Sequence, residues 1–483
     1  FQGDDGVLDT FYLTFNAAKH FISVPAFANH LLRAFGQNAT HLPELVVFSL
    51  QEMAPISAAF IGSYFLNPFF ERYESALNMA AAKFVEDGEQ AFQPRERPYT
   101  LVRTRNVGMT GIMLFARDPA ALTNLQTAEV GFGAGDMANK GAVGLRMMYS
   151  KGGTETELTF VSTHLAAMEW NLERRNRNWE SVVSGLVFAD PKTIVQAGHQ
   201  ARIERASTEG DVEPLLFHPE TEKQLHDVSI YKPGGHLFVA GDLNYRLSKT
   251  APPQDAVFPV IDDEASEDYY PRFLALDQLT AEKKAGRALH GLSEAPIHFP
   301  PTYKYVVLPK GTSEPELAED TGDEEVKWKF AKHRWPGWCD RVLWLDIPDW
   351  VKGDGVSKKR PEMKVTAYDC LPVVRSSDHR GVFLRVQVPV LSPDELKPPL
   401  DLVETTLRES EVAGRTSREN VAVDPRIRLP KAIDVDTWEH RASVKKWESL
   451  VGWSMFISQS KQGIMIFTTA FIVALGIWWY RSQ

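Results

Sequence analysis

From about residue 7 to residue 390 the chain alternates short, nearly unbroken apolar runs with stretches of helical period. LVVFSL (45 to 50), LVRTRNV (101 to 107), GIMLFAR (111 to 117), GAVGLRMMY (141 to 149), ELTFVSTHL (157 to 165), HLFVAGDL (236 to 243), RVLWLDI (341 to 347) and GVFLRVQV (381 to 388) are rich in β-branched and large apolar residues and read as strands. ALNMAAAKFVEDGEQAF (76 to 92) and MEWNLERRNRNWESVVSGLV (168 to 187) repeat apolar residues at intervals of three and four and predict helices. Strand density this high, with few intervening helices, predicts an α/β sandwich rather than regular βαβ winding. No internal repeat is evident.

Where the pattern lapses, other segments stand out. Residues 199 to 234 are polar and mixed, and 309 to 325, PKGTSEPELAEDTGDEE, are acidic and poor in large apolar residues, so both read as insertions, the second a mobile one. Residues 391 to 436 are rich in charge and proline and read as a linker, with one helix around LDLVETTLRES. Residues 437 to 462 carry Trp438, Trp447, Trp453 and the Lys445-Lys446 pair. They predict either an interfacial amphipathic helix or a plain solvated one. Residues 463 to 480, GIMIFTTAFIVALGIWWY, hold no charge and end in an aromatic triplet. As a helix they span roughly 27 Å, enough to cross a bilayer core. The expectation is a catalytic domain over 1 to 390, then a linker, and a membrane tail anchor at 463 to 480.

Composition changes this picture only at the margins. The formal net charge of −10 argues against a nucleic-acid partner and requires that any anionic substrate meet a local basic patch. VKWKFAKHR (326 to 334) is such a patch. The two cysteines, Cys339 and Cys370, have no metal-type spacing and fit a reducing compartment, which places the large domain on the cytosolic side. A short span with few basic residues after it suits the thin endoplasmic reticulum bilayer.

Polar groups recur at strand ends. Asn16 ends FYLTFN, Glu52 follows VVFSLQ, His164 ends TFVSTH, Asp242 and Asn244 follow LFVAG, and Asp378-His379 precede GVFLRV. Taken singly each has a plainer role: Glu52 as a helix cap, His164 as a satisfied core histidine. Together they form the carboxylate, amide and imidazole set that α/β active sites collect at strand ends. Such a set suits phosphate-ester hydrolysis. A hard carboxylate with amides binds Mg²⁺, histidines contact phosphate, and a free carboxylate orients and deprotonates water. Asp378 beside His379 is placed in sequence to fix that ring.

SLQEM (49 to 53), GDLNYRL (241 to 247) and SSDHRGVF (376 to 383) resemble the endonuclease/exonuclease/phosphatase superfamily. FPPTYKY (299 to 305), WPGWCDRVLW (335 to 344), GAGDMANKGAVGLRM (133 to 147) and STHLAAMEWNLERRNRNW (162 to 179) narrow the resemblance to inositol polyphosphate 5-phosphatases. The resemblance implies a DNase-I-like four-layer α/β/β/α sandwich and Mg²⁺-dependent hydrolysis of an inositol 5-phosphate, without a covalent intermediate. It implies that Glu52, with Asn16 nearby, holds Mg²⁺, and that Asp242 activates water with help from Asn244. It implies that His164 and His379 contact the scissile phosphate and that Asp378 orients His379. Asn139 and Lys140 would stand beside the site, with Tyr303, Lys304, Lys332 and Arg334 on the neighbouring 4-phosphate. The implied substrate is phosphatidylinositol 4,5-bisphosphate. A phosphodiesterase of the same fold and a non-catalytic phosphoinositide-binding tether share parts of this pattern. The chain departs from the family pattern at Phe15, Met168 and Gly381.

Overall fold

The computed structural model describes residues 6–87, 97–209, 219–309, 322, 325–353, 359–416 and 423–482. Most of the acidic 309 to 325 segment and part of the 199 to 234 insertion lie outside them. The strands are β1 (Val7–Asn16), β2 (Leu45–Gln51), β3 (Thr100–Val107), β4 (Thr110–Ala116), β5 (Leu122–Gly131), β6 (Gly141–Lys151) and β7 (Thr154–His164). After them come β8 (Gly235–Asp242), β9 (Leu292–Ser293), β10 (Tyr305–Val307), β11 (Trp328–Phe330), β12 (Asp340–Leu345), β13 (Lys364–Cys370) and β14 (Val382–Pro389). They form two six-stranded sheets, in the orders β13-β14-β1-β2-β4-β3 and β5-β6-β7-β8-β12-β9, with β10-β11 as a separate ribbon.

Both central strands of each sheet are buried on two faces, which is why they read as continuous apolar runs rather than alternating ones. Leu8, Tyr12, Val47 and Leu114 of the first sheet meet Leu145, Phe160, Phe238 and Val342 of the second in the inner core. Some of the hydroxyls trapped there are paired. Ser49 Oγ lies 2.7 Å from Ser162 Oγ across the two sheets, and Tyr12 donates to the Val161 carbonyl at 2.7 Å. On the outer face of the first sheet, Phe11, Leu13 and Phe15 pack against Phe27, Leu31 and Phe35 of α1 (Val24–Gly36). After the short α2 (Ile56–Ile61), Tyr73 and Leu77 of α3 (Asn67–Asp87) complete that layer. On the outer face of the second sheet lie Trp179, Val182 and Val183 of α4 (Leu172–Gly185). The layers are therefore α/β/β/α.

The remaining helices are α5 (Pro191–Glu209), α6 (Pro219–Val228), α7 (Gln278–Lys284), α8 (Pro393–Leu396), α9 (Leu400–Thr416), α10 (Thr437–Gln459) and α11 (Lys461–Ser482). Within the stretch expected as a linker, the described residues are partly helical, and Arg426 is buried, donating to the Asp346 carbonyl at 2.8 Å. In α10 the residues Thr437, Arg441, Val444, Glu448 and Gly452 are buried against the rest of the protein. Among the described residues no helix is long and apolar enough to cross a membrane. The side chains at 462, 463, 466, 467 and 470, which belong to or border the expected span, lie outside the described residues. The described apolar side chains of α11, from Ile464 to Tyr480, are exposed.

Candidate active site

Three neighbouring strands of the second sheet place their polar ends side by side. β7 and β8 are parallel and pair His164 with Asp242, while β8 and β12 are antiparallel and pair Asp242 with Asp340. The close approach of β7 and β8 requires glycine before the acid, since a Cβ on Gly241 would lie 1.8 Å from the Thr163 carbonyl oxygen. The first sheet contributes Asn16 at the end of β1 and Glu52 just after β2. Glu52 and Asn244 both hold positive φ, 44° and 58°, a conformation that costs energy and that functional sites retain.

Asp242 is the centre of the cluster. Its Oδ2 accepts from Asn16 Nδ2 at 3.0 Å and lies 3.2 Å from His164 Nε2 and 3.9 Å from His379 Nε2. Its Oδ1 accepts the Asn244 N–H at 3.1 Å. Burial pushes this carboxyl up, but His164, His379 and Lys140 outweigh burial and hold it well below the usual carboxylate range. Burial and then Lys140 push the His164 ring below its ordinary value. His379 goes the other way. Burial opposes its charge, yet Asp340 and Asp242 prevail and raise it to about 9. The two imidazoles are thus pushed in opposite directions.

The partner of His379 corrects the expectation from sequence. Asp340 Oδ2 lies 2.9 Å from His379 Nδ1 and also accepts from Thr302 Oγ1 at 2.7 Å. Asp378, expected to orient the ring, instead pairs with Lys304 at 2.5 Å. Chain neighbours at a strand entrance point to opposite sides, so the acid next in sequence is not the acid next in space. Tyr303 lies against the other face of His379, with ring centroids 4.5 Å apart, and Arg246 sits 4.4 Å over Tyr303. Arg246 donates to the carbonyl and side-chain oxygens of Asn244, and its buried Nη1 has no hydrogen-bond partner among the described residues.

Lys140 contacts the His164 ring and lies 3.7 Å from Glu52, while Lys19 lies 3.2 Å from Glu52 on the other side. Burial opposes ionisation of Glu52, but His164 and the two lysines lower its proton affinity. Asn139 Oδ1 beside them is buried without a partner among the described residues. Lys304, Arg334 and Lys332 are brought to one rim: the Ala331 N–H donates to the Lys304 carbonyl at 3.0 Å, and the Arg334 N–H to that of Ala331 at 3.2 Å. Arg334 reaches Met168 Sδ at 3.2 Å and Glu169 at 4.0 Å.

Which residues suit a divalent cation follows from their chemistry. Asp242, Asp340 and His379 offer ligand atoms all within 4.8 Å of one another, and Asp340 Oδ1 is buried with no partner among the described residues. Glu52 adds a partly exposed carboxylate to the adjoining wall. The three carboxylates fit a hard divalent ion; His379, with its raised proton affinity, does not. Asn16 fits less directly, because its Oδ1 accepts the Ala18 N–H at 3.0 Å.

A family model described as endonuclease/exonuclease/phosphatase family 2 matches residues 13–385. The chain belongs to this family. The zebrafish (Danio rerio) phosphatidylinositol 3,4,5-trisphosphate 5-phosphatase 2B is 29% identical over 56% of the chain and 17% of that protein. The type I inositol polyphosphate 5-phosphatase 8 of Arabidopsis thaliana is 30% identical over 54% of the chain and 43% of that protein. The chain thus spans less than half the length of either relative. The inositol polyphosphate 5-phosphatase domain of SPsynaptojanin, solved with inositol (1,4)-bisphosphate and a calcium ion, superposes with a TM-score of 0.51 at 21% identity. That match covers 85% of this chain and 93% of the other, and it shows that this family member shares the fold.

Proposed function

We propose that the chain is a divalent-cation-dependent phosphatase that removes the 5-phosphate of phosphatidylinositol 4,5-bisphosphate or a related inositol polyphosphate. The observation that carries the reading is the buried Asp242 cluster, opposed by a cationic rim of Lys304, Arg334 and Lys332. Relatives named as phosphoinositide and inositol polyphosphate 5-phosphatases support it.

In this reading Asp242 orients the attacking water and accepts its proton, with Asn244 holding the turn. His379, kept charged by Asp340, donates a hydrogen bond to the scissile phosphate and a proton towards the leaving oxygen. Lys140, Asn139 and His164 bind the remaining phosphate oxygens. Tyr303, Lys304, Lys332 and Arg334 grip the 4-phosphate, where guanidinium offers a planar fork. Asp378 positions Lys304 rather than His379. Glu52, flanked by Asn16, would hold Mg²⁺. A bound Mg²⁺ supplies acidification of water and neutralisation of phosphate charge, which matches an Asp242 of low proton affinity.

The location belongs to the same proposal. The exposed apolar side chains of α11 and its Trp478-Trp479-Tyr480 end support attachment to a bilayer, that of the endoplasmic reticulum by the expectation from sequence. Phosphate release from lipid and soluble inositol phosphate, and strand cleavage of DNA, each with Mg²⁺ and with chelator, test the activity. Release from the inositol substrates alone, abolished by chelator, is the expected result. Preferential cleavage of DNA would replace this reading with a phosphodiesterase, and neither release nor cleavage with any substrate would replace it with a tether.

A further inference from the structure

α10 lies 310 residues along the chain from the loop that it touches, yet it bonds to the backbone beside the site. Glu448, 3% exposed, accepts the N–H of Ala138 through Oε1 at 2.6 Å. Ala138 directly precedes Asn139 and Lys140. The carboxylate is held in place by Arg441, one turn pair earlier in the helix, through two bonds of 2.8 and 2.6 Å. Arg441 and Lys445 in turn anchor to Glu129 of β5 at 3.2 and 3.1 Å, and His440 lies 2.9 Å from Asp136 in the same loop. The loop is tied on its other side too. The Met109 N–H donates to the Ala138 carbonyl at 3.4 Å, and the Met53 N–H donates to the Met109 carbonyl at 3.2 Å. Met53 follows Glu52. A run of hydrogen bonds therefore passes from Glu448 through the loop to the backbone beside both Lys140 and Glu52.

The rest of α10 is seated closely enough to fix that carboxylate. Gly452 crosses α2 at such short range that a Cβ there would lie 2.9 Å from Phe60 Cβ. Trp453 and Phe456 pack edge-on against Phe65, with centroids 5.6 and 5.0 Å away. A buried carboxylate with a dedicated arginine is costly unless every partner is in place. Here the partners include an active-site loop, and α10 leads through Ser460 alone into the exposed apolar α11.

We propose that Glu448 is a positioning residue of the active site: it fixes the 131 to 141 loop, and through it Lys140 and Glu52, so that the catalytic unit extends through α10. The inference rests on the phosphatase reading for its kinetic consequence and on geometry alone for its structural one. Both can be read on the full chain, by hydrogen exchange of peptides covering 131 to 141 and by kinetics on a short-chain, soluble phosphatidylinositol 4,5-bisphosphate. Glu448→Ala is expected to speed exchange in that loop and to lower kcat roughly tenfold, the scale of a small misplacement of reacting groups. Glu448→Gln retains the acceptor for Ala138 and is expected to stay within about twofold of the parent in kcat. Because Glu448→Ala leaves Arg441 with Glu129 alone, the double variant Arg441→Met/Glu448→Met removes both charges and is expected to fold while reproducing the kinetics of Glu448→Ala. A folded single or double variant with parental kcat and unchanged loop exchange would overturn the proposal. So would a Glu448→Gln as impaired as Glu448→Ala. If the parent itself released no phosphate, the phosphatase reading would fail, while loop exchange would still decide the role of Glu448.

Discussion

Asp340 and Asp242 are equivalents that the sequence presents in opposite ways. Asp242 ends an apolar run and Asp340 begins one, but β8 and β12 are antiparallel, so both acids arrive at the same end of the sheet. Scanning for polar residues after apolar runs finds Asn16, Glu52, His164 and Asp242 and passes over Asp340, and only the pairing of strands shows that the last belongs with them. Asp340→Asn is expected to lower kcat about 10²-fold with little loss of folding, because His379 loses the carboxylate that keeps it charged. Steady-state kinetics beside a melting curve decide it; an unchanged kcat would remove Asp340 from the mechanism. Met168, where relatives were expected to carry glycine, holds φ 77° and ψ 146°, a region costly for any residue with a Cβ. Met168→Gly is expected to raise unfolding free energy by about 1 kcal/mol, the lower end of such strain. Chemical denaturation measures this, and a loss of stability would show that the Met168–Arg334 contact outweighs the strain.

Among the elements, the long buried strands and the α3 and α4 helices were legible because burial on one or both faces leaves a clear apolar period. α10 was not. Its buried face reads Thr437, Arg441, Val444, Glu448 and Gly452, which has helical spacing but little apolar character. A helix seated through an ion pair and a glycine leaves no hydrophobic stripe, so the sequence showed only its exposed tryptophans. β5 and the edge strand β13 were missed for a related reason: both are partly exposed and carry a register shift. The start of β8 carries a different signature. His236 is 2% exposed, and burial, with Arg426 nearby, pushes it down to about 4. Below pH 6.5 the unfolded chain takes up this proton and the folded chain does not, so stability falls as pH drops from 6.5 to about 4. At 1.36 kcal/mol per pH unit the loss is on the order of 3 kcal/mol. His236→Asn is expected to flatten the dependence of unfolding free energy on pH between 7 and 5. An equal slope in both proteins would mean that His236 does not carry it.

At the scale of the whole molecule, a chain of net charge −10 needs a local cationic patch to meet an anionic substrate, and Lys304, Lys332 and Arg334 offer one beside the Asp242 cluster. Substrate choice is assigned to that rim. Lys304→Ala and Arg334→Ala are expected to cost on the order of 1.5–3 kcal/mol in kcat/KM for a 4,5-bisphosphate, and far less for a substrate bearing only the 5-phosphate. Equal losses on both would show that these side chains do not read the second phosphate. The four-layer architecture was legible from strand density and motif order together. The way the polypeptide after residue 390 returns to the sheets was not, because its contacts join residues hundreds of positions apart. The most direct test of the central claim is the identity of the product formed from phosphatidylinositol 4,5-bisphosphate by the intact chain with Mg²⁺, resolved by headgroup chromatography. The account predicts phosphatidylinositol 4-phosphate and free phosphate, with release falling at least ~10²-fold in Asp242→Asn. Phosphatidylinositol 5-phosphate as the product, or a parental rate in Asp242→Asn, would contradict it.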